Sequence, residues 1–307
     1  MILLLACVLA GLLLVMAWGW TFQRAMDNGG WTDVFWTFGA GLACLTCALY
    51  PADGDWARPT SRQVAAALLV GVWTVRLGVH ITLRVAGSGE DARYAELRQD
   101  WGRAFQRRML GFLLAQAPAG AVLAGALYLA AHNPAPLGGA LDFSALVLAV
   151  LSLAGEGLAD AQLRRFKADP ANKGGIASSG LWAWSRHPNY FFEWLFWLAV
   201  PALAIDPEGG YRQGWLAFAA PALMFLLLNF VSGVPPLERS MRRSRGQAFA
   251  DYCARTSRFF PLPPRADPPT PDEPDRSRPP RGREPRPAEG RGGVGLDEQR
   301  MAHAQRL

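Results

Sequence analysis

Three groups of ionisable and aromatic residues stand in or beside stretches that are otherwise too apolar for them. Glu156, Asp160, Arg164 and Lys167 follow one another at spacings of four, four and three, which places all four on one helix face. Counted at about 1.5 Å per residue from the start of its apolar run, Glu156 falls inside the hydrocarbon boundary of a bilayer, where a carboxylate marks function by default. Residues 180–194 read GLWAWSRHPNYFFEW. Pro188 suits the first turn of a helix, so free N–H groups there would form an anion site. Arg186 offers a charge for a phosphate, His187, Asn189 and Tyr190 offer donors, and Trp182 and Trp184 offer flat faces for a ring. Glu193 follows one turn deeper. Arg76, His80 and Arg84 recur every four residues on a further helix. Arg84 can reach the surface, whereas Arg76 is expected to pair with a carboxylate such as Glu156 or Glu193.

Each group has a plainer reading. Arg164 and Lys167 could belong to a salt-bridge ladder on a protruding helix end, and the tryptophans with Arg186 to an interfacial belt. Arg76 could serve a structural ion pair. The depth of Glu156 and the presence of Asn189 and Glu193 weigh toward function.

The elements that must position these residues are apolar helices. The chain has 307 residues, 51% hydrophobic and only 18% charged, against roughly a quarter charged in soluble globular proteins. Seven stretches approach the length needed to span a bilayer: 2–20, 31–50, 64–85, 109–131, 142–155, 190–205 and 214–234. The first lacks a basic leader and a good cleavage site, so it is expected to be a span and not a removed signal. Basic residues crowd the loops at 84–108, 160–189 and after 238, while the alternate loops are nearly bare. These features predict an all-α, polytopic membrane helix bundle of about seven spans, with its N-terminus outside and its C-terminus cytoplasmic.

The formal charge of +6 belongs to this orientation signal, and no nucleic-acid partner is expected. Cys44 and Cys47 form a lone pair inside an apolar run and read as small apolar residues. His80, His132, His187 and His303 are too far apart for a metal set, and there is no glycine-rich dinucleotide turn after a strand. Two domains are expected: a membrane domain over 1–262 and a disordered, Pro/Arg-rich cytoplasmic tail over 263–307.

The segment GLWAWSRHPNYFFEW resembles the signature of a membrane family of uncertain function that is similar to the C-terminal domain of steroid 5-alpha-reductases, with sterol reductases among its relatives. The likeness extends to RYAELRQDWGRAF, EGLADAQLRRFKADPANKG and PPLERSMRRSRGQAFADYCARTSRFFP, and so covers most of 65–262. It implies NADPH held from the cytosolic side by Glu156, Asp160, Arg164, Lys167, Trp182, Arg186, His187, Asn189 and Tyr190, and by Arg242 and Tyr252. There are departures. The substrate-contacting tyrosine of the 5-alpha-reductases corresponds to Ile81, and Phe192 stands where many relatives have Gly.

The expected function is therefore reduction of a lipophilic, unsaturated, steroid- or lipid-like substrate by NADPH, with Glu193 or Tyr190 supplying the proton. The expected location is the bacterial inner membrane. The alternative is an S-adenosylmethionine-dependent membrane methyltransferase of the isoprenylcysteine carboxyl methyltransferase type, whose members share an RHPxY segment followed by an acidic residue after the last span.

Overall fold

The structure, a computed structural model, describes residues 1–51, 58–87 and 89–265. Most of the tail expected to be disordered, residues 266–307, lies outside the described residues. Helices in chain order are α1 (Ile2–Met26), α2 (Trp31–Leu49), α3 (Ser61–Ala86), α4 (Ala92–Trp101), α5 (Phe105–Leu114) and α6 (Ala117–Ala131). They are followed by α7 (Ala140–Ala168), α8 (Leu181–Trp184), α9 (Pro188–Trp197), α10 (Ala199–Ala204), α11 (Ala219–Leu226) and α12 (Val234–Arg255). No strand occurs among the described residues. The all-α class expected from the apolar periods is the observed one.

Among the described residues, six helical stretches are long and apolar enough to cross a membrane: Ile2–Met26, Trp31–Leu49, Ser61–Ala86, Arg93–Ala131, Ala140–Ala168 and Arg212–Arg255. The expected span at 190–205 is instead split into α9 and α10, neither of which is long enough alone. Apolar side chains such as Leu14, Leu42, Leu68, Val72, Leu146, Val150 and Phe230 are exposed around the bundle. Exposed apolar surface on this scale suits lipid and not water. The helices and this surface together mark a multi-pass membrane protein.

Small residues set the helix spacing. Helix α2 packs against α1, α3 and α6 through Gly39, Ala40, Gly41, Ala43, Cys44, Cys47 and Ala48, all buried. A Cβ at Gly41 would collide with the Thr74 side chain on α3. Gly155 does the same for α7 and α9: its Cβ would run into the Phe192 ring. Phe192, one of the departures noted in the sequence, thus fills the hollow that Gly155 leaves.

One end of the bundle is tied by a buried arginine. Arg62, next to the Thr60–Gln63 capping box that starts α3, pairs with Asp142 at 2.7 Å and donates to the carbonyls of Ala135, Pro136 and Leu203. All three polar groups singled out in the sequence sit at the other end.

Candidate functional site

Helix α3 brings Trp73, Arg76 and His80 to the same region as Glu156 and Asp160 of α7 and Glu193 of α9. Arg76 donates through Nη2 to Asp160 Oδ2 at 2.5 Å, and its Nη1 forms an ion pair with Glu156 Oε1. Of the two partners expected for Arg76, Glu156 is the one it takes. His80 Nε2 lies 3.5 Å from Asp160 Oδ2, and Arg164 Nη1 lies 3.4 Å from His80 Nδ1. Asn189 reaches the other oxygen of Asp160 at 3.5 Å, the long limit of a hydrogen bond.

Glu193 has different partners. Trp73 donates its indole N–H to both carboxylate oxygens, at 2.9 and 3.1 Å, and Trp197 donates to Oε1 at 3.0 Å. Three buried carboxylates, Glu156, Asp160 and Glu193, therefore cluster with one guanidinium. Glu156 Oε2 is buried without a hydrogen-bond partner. An acceptor in that state carries a free-energy cost of about 1–3 kcal/mol unless a ligand or water meets it.

The second group builds a latch. Arg186 donates to Glu238 Oε1 at 2.8 Å, to the Thr256 carbonyl at 2.8 Å and to the Cys253 carbonyl at 3.3 Å. His187 Nε2 lies 3.1 Å from the same Glu238 oxygen. Tyr252 donates to the Trp182 carbonyl at 2.6 Å, and Trp182 to the Ala159 carbonyl at 3.0 Å. The backbone of 185–186 pairs with Ser257, and Ser185 donates to the Phe259 carbonyl. Gly246, at φ 51°, breaks α12 in a region that favours glycine, and beyond it Phe249 and Tyr252 are buried. Arg186, His187, Trp182 and Tyr252 thus fasten the turn before α9 to α12 and the segment that follows it. Arg242 is exposed and 3.7 Å from Glu238, and Lys167 is exposed near the end of α7.

The latch has a pH signature. Burial pushes the His187 imidazole below its ordinary value, against the pull of Glu238. The unfolded chain then takes up the proton more readily than the folded one. Stability from this group is present above about pH 6.5 and is lost as pH falls through the lowered value. The melting temperature in detergent is expected to hold above pH 7 and to fall as pH drops below about 6.5, with a contribution no steeper than about 1.4 kcal/mol per unit. A His187→Gln chain should show a flatter profile in that window; an unchanged profile would remove His187 as the cause.

Tyr190 stacks on His187, centroids 5.6 Å apart, and lies within electrostatic reach of Arg93, Arg84, Asp91 and Asp33. That neighbourhood was not anticipated. Asp33 accepts from Arg93 at 2.6 Å and from Tyr94 at 2.7 Å, and Asp91 accepts from Arg93 at 3.1 Å. The sequence signal was Asp33, the only charged residue in its apolar stretch. Trp73 and Trp197 were also missed, since a tryptophan in an apolar run carries no local mark of its partner, whereas Glu238 stands where the methyltransferase alternative expects an acid after the last span.

Residues 19–256 match the family described as Protein of unknown function (DUF1295). The chain belongs to this family. The matched stretch contains every polar residue of the Arg76 cluster, and Glu238 and Tyr252 of the latch. No curated protein and no solved structure matches the chain.

Proposed function

We propose that this member of the family is a membrane-embedded reductase that uses NADPH on a lipophilic unsaturated substrate. The observation that carries the reading is the buried, unpartnered Glu156 Oε2 beside Arg76, close to the start of α9. An acceptor so placed suits an amide or amino donor of a nucleotide, and no side chain caps α9. Arg164 and Lys167 are exposed cations suited to phosphates. The part assigned to Arg186, His187, Trp182 and Tyr252 is to hold the turn that presents Asn189 and Tyr190. NADPH, when bound, supplies the hydride. Glu193 or Tyr190 gives the proton, and the indoles of Trp73 and Trp197 fix the Glu193 carboxyl. The resemblance to the steroid 5-alpha-reductase domain agrees with this reading, and Ile81 argues for a substrate other than a steroid enone.

In this reading α9 and α10 together make one pass, giving seven in all. The N-terminus is outside, and the polar end faces the cytoplasm of a bacterial inner membrane, where the nucleotide is. The second reading, a methyltransferase using S-adenosylmethionine, is favoured by one feature: Glu238, just after the last apolar stretch, meets Arg186 and His187.

Discrimination between nucleotides tests the cationic mouth. Arg164→Glu is expected to weaken NADPH binding about tenfold or more and NADH binding less, since only NADPH carries the extra phosphate. Titration of the purified protein with each cofactor reads this directly. Equal losses would place Arg164 away from that phosphate.

A further inference from the structure

We propose that Arg24, Arg103 and Arg107 form a binding site for the headgroup of an anionic phospholipid, on a face separate from the Arg76 cluster and independent of the reductase reading. The site follows from how α5 docks on α1. Phe105, Met109 and Leu113 recur every four residues and are buried against Met16. Gln106, beside that stripe, is fixed by α1: Trp20 donates to its carbonyl at 2.9 Å and Gln23 to its side-chain oxygen at 2.8 Å. Arg103 precedes Gln106 by three residues and Arg107 follows it by one. Arg103 lies in the 3-10 turn that leads into α5, one turn before Gln106, and Arg107 lies on α5 away from the buried stripe. On α1, Arg24 lies with its guanidinium 4.7 Å over the ring of Trp20, the residue that donates to Gln106. Arg108 lies on the outer side of α5 and is also exposed.

All three arginines are exposed, and none has an ion-pair partner among the described residues. The contrast is with Arg98 nearby, which is paired with both Glu90 and Asp27. Asp100, the only acid between 99 and 108, pairs with none of them. A cation excess needed only to orient the chain would be a matter of count in a loop. Here α1, α5 and the turn that leads into α5 carry three exposed, unneutralised guanidiniums beside the Trp20–Gln106 and Gln23–Gln106 hydrogen bonds, next to an indole of the kind that sits at the headgroup level. Arginine's planar fork matches phosphate oxygens, and juxtamembrane clusters of this kind attract anionic lipid by about fivefold per charge.

The test is native mass spectrometry of the full chain in detergent, titrated with dioleoylphosphatidylglycerol, with dioleoylphosphatidylcholine, and with glycerol 3-phosphate as competitor. The wild-type protein is expected to hold phosphatidylglycerol at least tenfold tighter than phosphatidylcholine. The triple variant Arg24→Gln, Arg103→Gln, Arg107→Gln should bind phosphatidylglycerol about a hundredfold more weakly, with phosphatidylcholine unchanged. If the triple variant does not fold, Arg103→Gln alone should show a fivefold loss. Lack of headgroup preference in the wild type, or full retention of it in the variants, would overturn the site. Displacement by glycerol 3-phosphate at concentrations matching the lipid would overturn it too, in favour of a soluble phosphate.

Discussion

Arg76→Gln is expected to lower the unfolding free energy of the membrane domain by about 3–5 kcal/mol, as removal of one partner from a buried ion pair does. Arg76 is the guanidinium in contact with both Glu156 and Asp160. Without it, Glu156 and Asp160 remain buried one helical turn apart, so the loss includes their mutual repulsion and not only one hydrogen bond and one ion pair. Pairing the change with Glu156→Gln should recover part of the stability, because it removes one of the orphaned charges. Thermal or denaturant unfolding in detergent measures both. A loss under about 1 kcal/mol for Arg76→Gln would mean that the pair behaves as a solvated surface bridge, and the cluster would then not be the buried centre described above.

Glu193→Gln should reduce turnover by roughly 10²- to 10⁴-fold, the range for loss of a positioned acid, while NADPH affinity stays within about threefold. The geometry bounds the side effects. Both oxygens of Glu193 accept indole N–H groups from Trp73 and Trp197. A glutamine keeps one acceptor and turns its amide N–H₂ toward a donor, a conflict worth about 1 kcal/mol. Stability should therefore fall slightly, far less than for Arg76→Gln. NADPH oxidation in native membranes, read beside a binding titration, separates the outcomes. Equal loss of binding and turnover would make Glu193 a cofactor contact; unchanged turnover would move the proton source to Tyr190 or water.

The helical class and the apolar spans were legible because hydrophobic runs of this length have few alternatives. The convergence of Arg76 with Glu156 was legible too: a deep cation needs a deep anion, and few were on offer. The role of Arg186 was harder to read. A helix start beside an arginine suggests a phosphate, yet the guanidinium is taken up by Glu238 and two carbonyls from residues 253 and 256. Those partners lie 52 to 70 residues away in sequence, and no local pattern announces them. The same holds for Trp73, 120 residues from Glu193. Splitting of the expected span into α9 and α10 also escaped notice, although Pro201 stands within it.

The Glu156–Asp160–Asn189 end of the bundle is the proposed seat of the nicotinamide nucleotide. Isothermal titration of the detergent-purified protein with NADPH and, separately, with S-adenosylmethionine tests it most directly. The expected result is saturable NADPH binding in the micromolar range or tighter, weakened by Arg164→Glu, and no comparable response to S-adenosylmethionine. Saturable binding of S-adenosylmethionine with no response to NADPH would contradict it.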